Sequence, residues 1–317
     1  MSFQRTRRAL LGAACLSGLL AACGGGEVES QLQPRRLVVF GDGFADLGQG
    51  GSRYTINDGT VNNWTAQLAQ RYGLSLAPSS AGGTSYATGN ARVVAEPDAA
   101  GSTATPTVAE QIDAFFAGGG SFAENDLVVV AAGIADIVAE VGQTQAGAQT
   151  AAQAQADIAA AGTALGNQVR RLVNAGARHV TVVGPYNLGR TPWAIATNQK
   201  ALLESYTTRF NDSLLISIVD LGARVLYVDA ALYYNLVTAG PGGYGLSNVT
   251  EAACTSVDPG PGIGIGAGQV NSALCTPDTV RSGIDRNAWF FADAIYPSPA
   301  AQRLFGDYAY DRIRARW

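Results

Sequence analysis

The chain has 317 residues, of which 47% are hydrophobic and 15% are charged. This length and composition fit one large α/β domain with a substantial core and exclude a disordered chain. The formal net charge is −4, and we expect no nucleic-acid partner, because phosphate binding requires clustered positive charge.

The amino terminus has the pattern of a targeting segment. Three arginines in the first eight residues precede a short apolar run, Ala9–Leu20, which is too short to span a bilayer as a helix. Leu20-Ala21-Ala22-Cys23 follows and resembles the lipobox of bacterial lipoproteins. The resemblance implies that residues 1–22 are a signal peptide and that Cys23 carries a lipid. An ordinary cleaved signal with a chance cysteine is the alternative.

A lipid on Cys23 would make the membrane a partner of the chain while the folded domain stays in water. We therefore expect an exported lipoprotein of the bacterial cell envelope, anchored at the outer membrane. Thr6-Arg7-Arg8 also resembles part of a twin-arginine signal, so the export route stays open. Residues 23–36 are polar and rich in glycine, which predicts a linker.

From Leu37 onward, short apolar runs alternate with helical patterns, which predicts a parallel sheet with helices on both faces. The predicted strands are Leu37–Phe40, Leu127–Ala132, Val180–Val183 and Val225–Val228. The predicted helices cover 62–72, Val108–Phe116, an Ala/Gln-rich surface stretch at 143–175, Thr197–Leu221 and Pro299–Arg316. No internal repeat or linker interrupts the pattern, so residues 37–317 form one predicted domain.

Two cysteines remain beyond the targeting segment. Cys254 and Cys275 lie in a stretch rich in glycine and proline. In an exported protein this arrangement predicts a disulfide that closes the loop. A metal site is the weaker alternative, because no histidine or second cysteine pair lies nearby.

Four short motifs follow one another at the ends of predicted elements. They are GDGFADLG at 41–48, GTSYATGNA at 83–91, GIAD at 133–136 and DAIYP at 293–297. In this order they resemble the blocks of the GDSL/SGNH ester hydrolases, whose patterns are Gly-Asp-Ser, Gly-x-Asn-Tyr-Ala, Gly-x-Asn-Asp and Asp-x-x-His-Pro. The resemblance implies a three-layer α/β/α fold, flavodoxin-like, with a mainly parallel central sheet. It also implies esters as substrates and no cofactor.

The family's chemistry needs a hydroxyl nucleophile, a histidine base, a carboxylate that orients the histidine, and donors for the oxyanion. The resemblance places Gly43 at the nucleophile position, Ala135 at the asparagine donor position and Tyr296 at the base position. It retains Gly83 as a backbone oxyanion donor and Asp293 as the orienting carboxylate.

Three of these side chains cannot perform their roles. Glycine has no nucleophile, alanine no polar group, and a phenol with an ordinary pKa near ~10 is a poor base at neutral pH. Loss of the nucleophile or base alone costs about 10⁶ in rate in a serine protease. The inherited ester hydrolysis is therefore not expected, although Asp293 could accept a hydrogen bond from Tyr296.

One residue is a candidate substitute for the lost side chains. Ser85 is the hydroxyl that we nominate as a replacement nucleophile, although no base is evident beside it. His179, the one histidine of the chain, begins a predicted strand away from every motif, and we expect it to be a satisfied or exposed histidine at a strand end.

Four carboxylates fall in or near the motifs. We expect a site without a metal ion, and the alternative is that these carboxylates bind a hard cation. For the first two, capping and shaping of the first turn is the simpler role. The four are Asp42, Asp46, Asp136 and Asp293.

Three functions remain open. The first is a non-catalytic binding protein, in which Gly43 and Ala135 enlarge a pocket for an acyl chain, a glycan or a peptide. The second is an active ester hydrolase with a rearranged site, acting on lipids or acylated saccharides. The third is a structural or interaction role at the envelope.

Overall fold

A computed structural model describes residues 30–317. The expected signal peptide and Cys23 lie outside the described residues. The first strand begins at Arg36, one residue before its predicted start. Leu32, in the predicted linker, is buried in the main hydrophobic core, so the chain is already packed against the domain there.

The central sheet is parallel and has four strands in the order β1-β2-β3-β4. Residues 84–88 extend along the free edge of β1: Val39 N–H donates to Thr84 O (3.0 Å) and Tyr86 N–H to Val39 O (2.7 Å). With this segment counted, the order along the sheet is 2-1-3-4-5, which is that of the flavodoxin-like fold. The predicted fold class is confirmed. The strands are β1 (Arg36–Gly41), β2 (Asp126–Ala131), β3 (His179–Val183) and β4 (Val225–Tyr227).

Eight helices surround the sheet in the described chain. The last helix, α8, runs from Pro299 to Arg316, as predicted. Ser298 is its N-cap, and proline occupies its first position. The others are α1 (Trp64–Arg71), α2 (Val108–Ala117), α3 (Ile134–Gln145), α4 (Ala151–Asn174), α5 (Pro192–Ala196), α6 (Lys200–Ile218) and α7 (Ala230–Ala239).

The Ala/Gln-rich stretch at 143–175 is not one helix. Gly147 adopts a positive φ of 70°, which ends α3, and Thr150 forms a capping box with Gln153 that begins α4. Nor is α4 a purely surface helix, because Leu165, Val169 and other side chains of one face are buried.

Small residues let two helices of one layer approach closely. A Cβ atom on Gly162 would lie 2.3 Å from the carbonyl oxygen of Phe210, and one on Gly166 would lie 1.7 Å from Ser217 Oγ. The backbones of α4 and α6 therefore meet directly at Gly162, and the Ser217 side chain packs on Gly166. Elsewhere α1 packs against α8, and α2 packs against β1.

The region before α8 is stabilised by a second, smaller core. Cys254 and Cys275 form the predicted disulfide, and their side chains pack with Ile56 and Trp289. Two pairs of short strands complete this region: β5 (Asn248–Ala252) beside β8 (Trp289–Phe291), and β6 (Val257–Asp258) beside β7 (Gln269–Val270). Within residues 30–317, no helix is both long enough and apolar enough to cross a bilayer.

Candidate active site

The turn after β1 is tied to the turn after β2 by one buried carboxylate. Asp42 Oδ1 accepts the N–H of Phe44 (3.0 Å), and Asp42 Oδ2 accepts those of Gly133 and Ile134 (3.0 Å each). Burial raises the pKa of Asp42 to about 7, against the opposing effect of these backbone donors. The carboxylate thus holds together the two loops that carry Gly43 and Ala135.

Asp46 does the same for the next loop. Its Oδ1 accepts the N–H groups of Gly48 (2.7 Å) and Gln49 (2.9 Å), and its Oδ2 accepts that of Gly89 (2.8 Å). Burial raises the pKa of this carboxyl as well. The prediction that Asp42 and Asp46 shape the first turn is confirmed.

Tyr296 fills the space in which a side chain on residue 43 would lie. A Cβ atom on Gly43 would be 2.7 Å from the phenol oxygen of Tyr296 and 2.9 Å from its Cζ. The tyrosine is 1% exposed, and burial raises the pKa of its phenol well above the usual value. Tyr296 is therefore a neutral phenol packed against the nucleophile position and cannot act as a base there.

A second tyrosine covers the neighbouring loop in the same way. A Cβ atom on Gly89 would lie 2.2 Å from the phenol oxygen of Tyr54, and the rings of Tyr54 and Tyr296 have centroids 4.9 Å apart. The expectation that Gly43 enlarges a pocket is wrong at this position. The two rings occupy the volume that the missing side chain leaves.

Asp293 is fully buried and is used by the backbone. Its Oδ1 accepts the N–H groups of Ile295 (2.8 Å) and Tyr296 (2.6 Å), and its Oδ2 accepts that of Ser272 (2.9 Å). Burial raises the pKa of this carboxyl. Asp293 thus accepts a hydrogen bond from Tyr296, but from its N–H and not from its phenol. The carboxylate shapes the turn before α8 and fastens it to the disulfide loop.

The third block is equally structural. Ala135 is buried in the first turn of α3. Asp136 accepts the N–H of Val93 (3.1 Å) and lies 3.6 Å from Nε of Arg92, which also pairs with Glu140. Burial raises the pKa of Asp136 to about 6.

The assignment of Gly83 as an oxyanion donor is wrong. Ser85 bridges Val39 in the middle of β1, so Gly83 lies towards the amino-terminal half of that strand. Its N–H is already donated to Pro78 O (3.0 Å). The glycine of this block that reaches the carboxyl edge of the sheet is Gly89.

The same register removes Ser85 from the site. It is fully buried and pairs with Val39, which precedes Gly43 by four residues, or roughly 13 Å of extended strand. His179 is the first residue of β3 and lies at the amino-terminal end of the sheet, where it pairs with Leu127 of β2. Its ring packs against that of Trp317. The prediction that His179 lies away from the motifs is confirmed.

No group of three or more histidine, cysteine, aspartate or glutamate side chains in the described part of the chain is arranged to hold a metal ion. The four carboxylates of the motifs are engaged by backbone N–H groups instead. The cation-site alternative has no support in this geometry.

Two residues of the site were missed from the sequence: Tyr54 and Gly89. A signal for Gly89 exists, because Gly89-Asn90 is a turn pair at the end of an extended segment, and parallel sheets carry their sites at that edge. Nothing in the sequence marks Tyr54, which comes from an irregular loop.

Known proteins are similar in sequence to this chain. The profile of GDSL-like lipase/acylhydrolases matches residues 37–309. A GDSL esterase/lipase of Arabidopsis thaliana is 30% identical over 160 residues, which are 47% of this chain and 41% of that protein. Lipase 1 of Photorhabdus luminescens is 33% identical over 160 residues, which are 49% of this chain and 23% of that protein.

The name of a third relative gives no activity. It is a Pseudomonas putida protein described as uncharacterized, from the trpE-trpG intergenic region, and is 29% identical over 169 residues, or 51% of this chain and 26% of that protein. The chain therefore spans between 23% and 41% of the length of the curated relatives whose names give an activity.

Proposed function

We propose that this chain, which belongs to the family of GDSL-like lipases and acylhydrolases, is a non-catalytic member that acts as a binding protein of the bacterial cell envelope. One observation carries the proposal: the phenol of Tyr296 lies within 2.7 Å of the position that a Cβ atom on residue 43 would occupy. The nucleophile is absent, and its space is filled.

The remaining parts of the site also serve the fold. The N–H of Gly89 is donated to Asp46, so it is not available to an oxyanion. The carboxylate of Asp293 accepts three backbone N–H groups, and no histidine stands beside it. What persists of the family's site is its backbone scaffold.

Ester hydrolysis tests this proposal directly. The purified chain should hydrolyse short-chain p-nitrophenyl esters no faster than its Ser85→Ala variant, and a fluorophosphonate probe should label neither. The Gly43→Ser/Ala135→Asn/Tyr296→His variant tests whether the scaffold still supports hydrolysis, and the Arabidopsis thaliana GDSL esterase/lipase is the positive control. Turnover by the natural chain that disappears in Ser85→Ala would establish the rearranged hydrolase instead.

An acyl chain is the ligand that the surface supports best. Because tyrosines fill the inherited site, we place binding in a groove of about 390 Å³ beside α3, whose walls are mostly small apolar groups from three segments. Straight alkyl chains suit mostly apolar walls; Arg92 and Asp98 are the charged residues that also line the groove. The groove includes Ala99, Val138, Ala139, Pro261 and Gly264.

A blocking substitution distinguishes this groove from other surfaces. Ala139→Trp fills it, whereas Ala152→Trp adds the same side chain to an exposed position of α4. A fluorescent fatty-acyl probe should bind the natural chain and Ala152→Trp equally and Ala139→Trp at least tenfold more weakly. Equal binding by all three would remove the groove from the proposal.

The envelope location rests on the lipobox-like sequence that ends at Cys23. Radiolabelled palmitate should be incorporated into the chain in a bacterial host and lost in Cys23→Ser. Incorporation that survives this substitution would contradict lipid attachment at Cys23.

A further inference from the structure

The surface at the amino-terminal ends of the strands lies opposite the tyrosine-filled site. It combines arginines with exposed aliphatic side chains. Three parts of the chain meet there. Ser30 Oγ donates to Trp317 O (2.5 Å), Trp317 Nε1 donates to Ala223 O (2.8 Å), and Arg316 donates to Gly222 O (3.1 Å). We call this surface the basal face; its members are Ser30, Arg35, Ile216, Val219, Arg224, Arg312, Arg314, Arg316 and Trp317.

The aliphatic side chains of the basal face stand next to one another. Ile216 is 75% exposed and Val219 is 79% exposed, and both lie where α6 runs into the turn before β4. They are the two most exposed large hydrophobic side chains of the described residues. Trp317, which is partly buried, stands at the edge of the same turn.

The arginines of the basal face outnumber the unpaired acids beside them. Arg35, Arg224, Arg312, Arg314 and Arg316 form no ion pair within residues 30–317. Nearby acids such as Asp220 and Glu124 are already paired with other arginines, and Asp311 is the one acid in the last two turns of α8. The formal net charge of the whole chain is −4, so the positive charge of the basal face contrasts with that of the chain as a whole.

We propose that the basal face docks on the surface of an anionic phospholipid bilayer. Arginines at such a surface are attracted to the headgroups, and neighbouring aliphatic and tryptophan side chains enter the interface. The inference rests on the proposed envelope location, and the chain geometry agrees with it. Six residues lie between Cys23 and Ser30, which gives a reach of at most about 25 Å, so a lipid on Cys23 keeps this face at the membrane.

Docking in this orientation turns the carboxyl edge of the sheet away from the bilayer. The α6 helix runs from one edge to the other over 19 residues, about 28 Å. The two filled positions, Gly43 and Gly89, then face the aqueous space, and an extracted membrane lipid would not reach them directly.

Vesicle co-sedimentation tests the proposal without the covalent lipid. The chain from residue 23 with Cys23→Ser contains every residue of the packed core and cannot be acylated. We expect it to bind vesicles of mixed phosphatidylcholine and phosphatidylglycerol, to ignore vesicles of phosphatidylcholine alone, and to dissociate as salt is raised. Because acylation plays no part, failure here leaves the envelope proposal standing, and loss of palmitate labelling at Cys23 leaves this one standing.

Matched variants locate the binding surface. Arg224→Glu/Arg312→Glu should weaken vesicle binding at least 25-fold, since each arginine at an anionic surface contributes roughly fivefold. Neither side chain forms a hydrogen bond or ion pair in the described chain, so the fold should persist; circular dichroism verifies this. Arg190→Glu/Lys200→Glu makes the same change of charge at the other end of α6 and should bind as the natural chain does.

The aliphatic part has its own control. Ile216→Ser/Val219→Ser should weaken vesicle binding, whereas Leu232→Ser/Leu236→Ser, on α7 side chains that are 53% and 54% exposed, should not. Equal effects of the basal and control pairs, or no binding to anionic vesicles, would overturn the proposal. Competition by inorganic phosphate would also overturn it, because the occupant would then be a free anion. A dimer that Arg224→Glu/Arg312→Glu converts to monomer would overturn it too, because the occupant would then be a second copy of the chain.

Discussion

The rings of Tyr54 and Tyr296 pack with their centroids 4.9 Å apart, and each covers one glycine at the carboxyl edge of the sheet. Tyr296 lies on Gly43 and Tyr54 lies on Gly89, so neither glycine can gain a methyl group unless a ring moves. The two loops that should hold a nucleophile and an oxyanion donor are instead joined by an aromatic contact.

Gly43→Ser should destabilise the fold by about 1–3 kcal/mol, because the added atoms overlap the phenol of Tyr296 in a close-packed site. Gly43→Ser/Tyr296→His should recover most of this loss, since the imidazole ring ends short of the phenol oxygen. Urea unfolding measures both. Gly50→Ser, where nothing lies within 4 Å of an added Cβ, is the control, and equal midpoints for Gly43→Ser and Gly50→Ser would show that Tyr296 does not fill the site.

The free energy of unfolding should depend on pH through Asp42. Its pKa is raised from 3.8 to about 7 in the folded chain, so the folded state keeps a proton that the unfolded state releases. This stabilisation is fully present below the lower value and is lost as the pH rises through the upper one. The pKa difference corresponds to roughly 4 kcal/mol at most.

Asp42→Asn has no proton to lose at this position, so the natural chain should gain stability relative to this variant on going from about pH 8 to about pH 5. Asp157→Asn, at an exposed position of α4, should show no such change. Chemical unfolding at both pH values measures the effect. A constant difference between the natural chain and Asp42→Asn would mean that Asp42 is ionised in the folded state.

Arg92→Met should destabilise the fold by about 3–5 kcal/mol, because it leaves Asp136 and Glu140 buried without their cation. Arg178→Met breaks an exposed pair with Glu124 and should cost about 1 kcal/mol or less. Thermal and urea unfolding of the two variants separate the buried cluster from the surface pair. Similar losses in both would show that the cluster is open to water.

Removal of the disulfide should affect the tyrosine-filled site as well as stability. The bond closes a loop with a sequence separation of 21, and Cys254→Ser/Cys275→Ser should cost roughly 3 kcal/mol. Ser272, within the loop, donates to Asp293, so amide hydrogen exchange at 293–296 should quicken in the double variant. Reductant should speed exchange there in the natural chain and have no further effect on the variant; protection unchanged by either treatment would separate the loop from the site.

The sequence was sufficient to predict the main architecture. Continuous apolar runs such as Leu127–Ala132 identify buried parallel strands, and Ser298-Pro299 identifies the start of α8. The chemistry lost at Gly43, Ala135 and Tyr296 was also readable, because it depends on residue type alone. The break between α3 and α4 was missed, because high helix propensity conceals a single glycine with positive φ.

What the sequence could not supply was register and occupancy. Gly83 matches the family's block in sequence, but only the pairing of Ser85 with Val39 shows that it lies far from the edge. Likewise, the loss of a side chain at residue 43 predicts empty space until the position of the Tyr296 ring is known. Asp293 matches the family's block, but its partners are backbone N–H groups, which residue type cannot reveal.

The contact between Gly43 and Tyr296 also couples the two positions in any redesign of the site. A side chain at residue 43 overlaps the tyrosine ring where it stands, so a serine placed there alone meets the ring and lowers stability. Redesign of this end of the sheet therefore begins at residue 296, where a smaller side chain frees the space that residue 43 needs.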